Sequence, residues 1–309
     1  MACNNRKLVI GSITIEEHPA SETNFYLWLN PSETLSGGDI EESDTERQGA
    51  HGIHSSVAYN SGRELPLEIE IHASSRSQLV TMENNLRTQL ALPATPSFDG
   101  TDGFQLVTIT DEDEVEKQIY ARIYRRKVEM DMLEDPRQKR RRASFGLRSL
   151  DPNLYSTTLS SSSGPESYET TGFIFQEAAN PEFQEDDNPT FQEGVGGTIS
   201  VTNSGTVGTP PTFTISGPVE NPAITNITTG KKLEFSRGGG VTVASGETLT
   251  INVAAATAVK DDGTNVRASL SLDSQWIYLE PGANVLKFLD DTTDELTGQL
   301  QIQFRSAFD

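Results

Sequence analysis

In the stretch Leu65-Pro66-Leu67-Glu68-Ile69-Glu70-Ile71-His72, every second residue is aliphatic. Only an extended strand turns alternate side chains toward one face; a helix would scatter these four around its circumference. This part of the chain is therefore expected to be a strand with one buried face. Leu8–Ile15, Phe25–Leu29, Phe104–Thr110 and Gln118–Lys127 alternate in a similar way. The last two flank the acidic turn Asp111–Glu116, so a hairpin is expected there. One helix interrupts the strands. Ser75-Arg76-Ser77-Gln78 has the form of a capping box, and Leu79, Met82, Leu86 and Leu90 follow at helical spacing until Pro93. A sheet crossed by one amphipathic helix buries both apolar faces at once.

The character of the chain changes near residue 155. Ser160-Ser161-Ser162-Ser163-Gly164-Pro165 is polar and aperiodic, and reads as an interdomain linker. It is followed by Phe175-Gln176-Glu177, Phe183-Gln184-Glu185 and Phe191-Gln192-Glu193, spaced by eight with Asn-Pro between copies. An extended arm with Phe pegs and a plain linker both account for this repeat. From Thr198 onward strand-like segments recur at close intervals: Thr212–Ser216, Leu233–Phe235, Val241–Val243, Thr248–Val253, Val266–Leu272, Val285–Leu289 and Leu300–Phe304. Turn signals such as Asn203-Ser204-Gly205, Asp261-Asp262-Gly263 and Pro281-Gly282-Ala283-Asn284 separate them, the pattern of an all-β sandwich. The expected organisation is mainly β: an N-terminal domain (1–157), a linker or arm (158–197) and a C-terminal sandwich (198–309).

Composition narrows the function. With 24 Lys and Arg against 45 Asp and Glu, the formal net charge is −21. Such a surface repels phosphate and suits a conduit that DNA crosses without sticking. Cys3 is the sole cysteine and there are four histidines, so neither a disulfide nor a cysteine metal site is available. His51-Gly52-Ile53-His54 has no third histidine nearby and reads as a turn-rich loop. No Gly-x-Ser-x-Gly elbow is present, and Gly238-Gly239-Gly240 lacks the Lys-Ser/Thr of a phosphate loop. No cofactor or metal is expected and no catalytic residue is assigned. No segment has the ~18 apolar residues of a membrane span, and no apolar leader is seen, so a soluble protein outside the secretory route is expected.

Three surfaces remain as candidates. The basic run Arg140, Arg141, Arg142 follows an acidic stretch and opens a strand-like segment, which favours an ion-paired subunit interface over DNA contact. Asp111, Glu112, Asp113 and Glu114 form an acidic hairpin tip, suited to a lumen or to a neighbouring subunit. The long loop from Pro31 to Val57, with Glu41, Asp44, His51 and Gly52, is the candidate contact to an adjoining ring. Trp276 and Tyr278 could stack on a sugar, although Trp276 reads better as core.

The C-terminal pieces Val201–Thr206, Pro211–Gly217, Asn226–Gly230, Ser245–Leu249, Asp262–Val266 and Trp276–Asn284, taken in order, resemble the C-terminal domain of phage distal tail proteins. His51-Gly52, Gly62–Leu65, Tyr120–Ile123 and the closing Asp151-Pro152-Asn153-Leu154-Tyr155 are similar to the N-terminal domain of the same family. Residues 166–194, with the Phe-Gln-Glu copies, depart from it. The resemblance implies a tail-tube-like N-terminal β-sandwich or barrel with one helix and a galectin-like C-terminal sandwich. It further implies a structural virion protein at the phage tail tip, made in the host cytoplasm. There it would form a homo-hexameric ring between the major tail tube protein and the tail hub, receptor-binding or side-fibre proteins, while DNA passes through. Two alternatives are a tail-tube subunit with an appended sandwich and a carbohydrate-binding adhesion module. A secreted hydrolase is a third, disfavoured by the scarce histidines.

Overall fold

The computed structural model describes residues 6–21, 23–34, 40–41, 45–46, 53–54, 59–60, 62–91, 103–111, 114–127, 139–164, 197–290 and 298–309. The three Phe-Gln-Glu copies lie outside these residues. The chain divides into two compact units, Met1–Thr157 with Phe308–Asp309, and Thr158–Ala307. Both are built from strands, and the fold is mainly β.

The first unit is a barrel. Strands β1 (Lys7–Ile10) and β2 (Ile13–Glu16) form a hairpin whose two-residue turn uses Gly11 at φ +56°, a conformation that favours glycine. Strand β3 (Phe25–Trp28) joins β2 in parallel and β4 (Glu64–His72) lies antiparallel to β3. Strand β5 (Gln105–Thr110) pairs with β1, and β6 (Glu116–Lys127) returns along β5 in the expected hairpin. Strand β7 (Arg140–Arg148) pairs with both β6 and β4 and closes seven strands on themselves. Closure leaves neither β4 nor β6 with a bare edge along that seam. The first half of β6 also takes a short strand, β8 (Leu154–Ser156), on its other side.

Alternation decides which side chains enter the barrel. Leu65, Leu67, Ile69 and Ile71 are at most 1% exposed and share one core with Leu8, Ile10, Ile15, Val107 and Phe145. The helix α1 (Arg76–Gln89) adds Leu79, Met82 and Leu86 to that core, as its spacing predicted. Ser75 Oγ accepts the Gln78 N–H at 3.1 Å, so the expected cap forms, and the last turn ends at Leu90. Tyr26 crosses the core and donates its hydroxyl to the Met82 carbonyl at 2.9 Å. That satisfies a phenol which burial would otherwise penalise.

The second unit is a sandwich of two antiparallel sheets. One holds, in spatial order, β9 (Ser160–Gly164), β17 (Gln299–Phe304), β11 (Thr212–Ser216), β14 (Thr248–Asn252) and β15 (Thr257–Lys260). The other holds β10 (Thr198–Asn203), β16 (Gly282–Leu289), β12 (Ala223–Asn226) and β13 (Lys232–Glu234). Their inward residues, among them Phe213, Ile215, Leu249, Phe288 and Ile302, form a separate core.

Two expectations are corrected here. Ser160–Gly164 was read as part of a flexible linker; it is an edge strand in register with Phe304–Leu300. An edge strand of serines buries no apolar face of its own, so it carries no hydrophobic period; its backbone ladder holds it, with Gln301 Nε2 donating to Ser161 Oγ at 3.4 Å. Val266–Leu272 was read as a strand, but Arg267–Ser269 make a 3-10 turn. Asn265 Oδ1 captures the Arg267 amide at 3.0 Å and starts the turn before a strand can extend.

Candidate functional site

Between β3 and β4 the structure describes two short ladders. Ile40–Glu41 pair antiparallel with Tyr59–Asn60, and Thr45–Glu46 with Ile53–His54. Glu41 lies on the outer ladder opposite Tyr59; Asp44, His51 and Gly52 lie outside the described residues.

At the β5–β6 turn, Glu114 adopts φ +59° and donates its amide to the Asp111 carbonyl at 3.0 Å. Arg6 Nε reaches Asp111 Oδ1 at 3.2 Å, so one of the four acidic candidates is already ion-paired within the chain. Glu112 and Asp113 lie outside the described residues.

The basic run Arg140, Arg141, Arg142 is split by strand alternation. Arg141 shares the inward-facing side of β7, and its guanidinium meets Glu83 of the helix at 2.5 Å. Glu83, 6% exposed, also holds Arg87 one helical turn on at 2.6 Å. Arg140 and Arg142 point outward and share Glu70 at 3.9 and 3.5 Å. Glu70 also approaches His72 at 2.8 Å, and His72 stacks on Phe25 with ring centroids 4.4 Å apart. Burial lowers the His72 pKa against the opposing pull of Glu70. Each arginine of the run therefore has an intramolecular carboxylate.

Beside this run lies a surface that sequence reasoning passed over. The register of β6 against β7 shifts between Ile123 and Arg125, leaving Tyr124 as an extra residue. Tyr124 lies across Gly146, where an added Cβ would come within 2.5 Å of its ring. From there its hydroxyl reaches Glu64 Oε2 on β4 at 2.8 Å, and the Arg148 guanidinium stands 5.0 Å over the ring. Arg148 also donates from Nε to Glu64 Oε1 at 2.9 Å. The Arg148 and Tyr124 hydrogen bonds hold the Glu64 carboxyl below its ordinary pKa. Tyr120 is paired with Leu106 on β5, and they are 62% and 40% exposed. Arg122, directly opposite Arg148, stands 5.1 Å over the Phe104 ring. Only the Tyr120–Ile123 motif pointed here; the bulge and the glycine under Tyr124 have no local signature.

In the second unit, Trp276 and Tyr278 alternate with the buried Ile277 and Leu279. Arg267 stands 5.7 Å over Trp276, which packs partly against the core, and Lys231 stands 6.0 Å over Tyr278. The neighbouring turns are held by three buried asparagines. Asn203 donates to the Val207 and Leu279 carbonyls at 2.8 and 2.9 Å. Asn226 donates to Asn284 Oδ1 at 3.2 Å, and Asn284 donates to the Glu280 carbonyl at 2.7 Å. Among the described residues no three His, Cys, Asp or Glu side chains gather as a metal site. No helix there is long and apolar enough to cross a membrane.

A closed barrel followed by a two-sheet sandwich defines the chain as a mainly β protein of two units. Residues 204–308 match the model of the siphovirus-type tail component, C-terminal domain. The second unit thus carries a domain of that family, and the chain is similar to phage distal tail and baseplate proteins. Its fold is similar to the crystal structure of the Dit protein of phage SPP1, described there as a paradigm of the hub adsorption apparatus of phages that infect Gram-positive hosts. That similarity has TM-score 0.59 at 14% identity and covers 91% of this chain and 94% of that one. A phage P2 baseplate chain in the Ca-activated conformation aligns at TM-score 0.45 and 7% identity, covering 97% of each chain. No curated protein matches the sequence.

Proposed function

We propose that this chain forms a homo-hexameric ring at the distal end of a phage tail. The ring would join the tail tube protein to the hub and to receptor-binding or side-fibre components, and it catalyses nothing. One observation carries the reading: the family domain occupies the second unit, while the first is a closed barrel whose outer wall exposes aromatic side chains. The fold likeness to a tail hub protein spans both units. A wall of this kind suits self-association, and heterologous contacts that close after six copies make a ring. The segment between β3 and β4, with Glu41, Asp44, His51 and Gly52, is the proposed contact to the adjoining ring. The acidic turn Asp111–Glu114 is proposed to face the lumen, where negative charge lets DNA slide.

The carbohydrate alternative needs bare aromatic faces. Lys231 and Arg267 stand over Tyr278 and Trp276, so the observations favour the ring. Negative-stain imaging of the purified chain, alone and mixed with its tail tube protein, tests it. A six-fold annulus in either sample is expected. Single copies in both samples would overturn the reading.

A further inference from the structure

We infer that the outer wall of β6, around Tyr120, Arg122, Tyr124 and Arg125, is the surface on which the ring-forming unit receives the acidic surface of a second copy. This rests on the ring reading and names the face that does the joining. It also moves the candidate interface away from the Arg140–Arg142 run, whose charges are already met within the chain.

Charge distribution is the first argument. Nine of the chain's 24 basic residues lie in β6 and β7, against the single acid Glu116. Everywhere else acids dominate, and the chain carries −21 in all. Two copies of so acidic a protein repel unless one offers a basic surface to the other. The outer wall of β6, with Arg122 and Arg125, is such a surface.

Unmet charge is the second. Arg141 is taken by Glu83, Arg140 and Arg142 by Glu70, and Arg148 by Glu64. Among the described residues Arg122 has only the face of Phe104, and it lies directly across from Arg148. Like charges directly opposite on adjacent strands destabilise a sheet. Arg125 is exposed and has no carboxylate partner among the described residues. Among the described residues these two guanidiniums have no carboxylate and can take an incoming one.

Preorganisation is the third. Tyr124 is pinned flat over Gly146 by Glu64 and Arg148, and Tyr120 stands beside Leu106. Rigid aromatic side chains flanked by arginine supply most of the binding energy at protein interfaces, because little side-chain freedom is lost on docking.

The test is sedimentation of the full chain at low and high salt, for wild type, R125E, R122E/R125E and R122K/R125K. Wild type is expected to self-associate, more weakly as salt rises. R122E/R125E is expected to weaken association by ~100-fold or more, since like charges then face each other. R122K/R125K keeps the charge and should associate within about tenfold of wild type. R125E removes no ion pair to a carboxylate among the described residues, so it should fold normally and still weaken association by about tenfold. If both reversal variants assemble like wild type, this face is wrong while the ring reading stands. If wild type never self-associates at either salt, this inference fails, and the ring reading fails with it only if copies mixed with the tail tube protein also stay single. A gel shift with duplex DNA that is lost in the reversal variants while their assembly is unchanged would reassign the wall to nucleic acid.

Discussion

The two units handle polar groups in opposite ways. The sandwich buries neutral amides: Asn203, Asn226 and Asn284 are at most 1% exposed, and each hydrogen-bonds backbone groups of neighbouring turns. The barrel instead buries charge. Glu70 and Glu83 are 7% and 6% exposed and gather arginines, and Arg63 is 1% exposed with its guanidinium 3.4 Å from Asp309. Neutral locks fix loop shape and are fully used within the fold. Charged clusters at the wall of a barrel leave surplus donors and rings facing outward. The difference teaches that the sandwich fixes its turns with neutral amides, while the barrel holds ion-paired charge against its wall.

Four substitutions or conditions break or sharpen that contrast. Asn284→Ala should have the largest effect. It removes donors to the Glu280 and Gly282 carbonyls and the acceptor of the Glu280 amide. A loss of about 3 kcal/mol, confined to the sandwich, should appear as an earlier urea transition with the barrel transition unmoved. If both transitions shift together, the two units are not independent in the way the contrast requires.

Glu83→Gln should cost the barrel about 2 kcal/mol. Arg141 and Arg87 then lose their shared carboxylate, though both keep access to water. Hydrogen exchange should rise along the helix and β7 and stay unchanged in the sandwich.

Alkaline pH should also single out the barrel. Burial pushes the Tyr26 phenol up to about 12 from its ordinary 10. The stabilisation from keeping it protonated is complete below pH 10, the unfolded value, and is lost as pH rises toward 12. The barrel should therefore weaken by about 2 kcal/mol over that window. Tyr26→Phe should remove this dependence, as read by thermal unfolding at stepped pH.

The smallest effect is expected from Tyr124→Phe. It loses one exposed hydrogen bond to Glu64 and should cost under about 1 kcal/mol. The Glu64 carboxyl, held down first by Arg148 and then by Tyr124, should titrate higher in the variant by NMR.

The repeating apolar period made most of the barrel legible. Leu65 to Ile71, the Leu79–Leu86 stripe and the β5–β6 hairpin were all expected and are all present. The sandwich strands with apolar alternation were legible for the same reason. Strands without it were not: Ser160–Gly164 gives no hydrophobic signal, and Asn265 turned a plausible strand into a 3-10 turn. The motifs that carried the family resemblance are explained by packing, since Asn203, Asn226 and Asn284 sit within them as turn locks. The candidate site was less legible. A run of three arginines looks like one surface in sequence, yet alternation sends Arg141 to the helix and its neighbours outward. Partners that decide which charge is spent, such as Glu83 for Arg141, come from 58 residues away. No local pattern could reveal them.

Imaging of intact tails by electron cryomicroscopy, with this chain located in the density, tests the central claim most directly. The account predicts one ring of six copies at the distal end, barrel units joined around the channel through the β6 wall. Copies stacked along the length of the tube, or single copies bound outside a ring made by another protein, would contradict it.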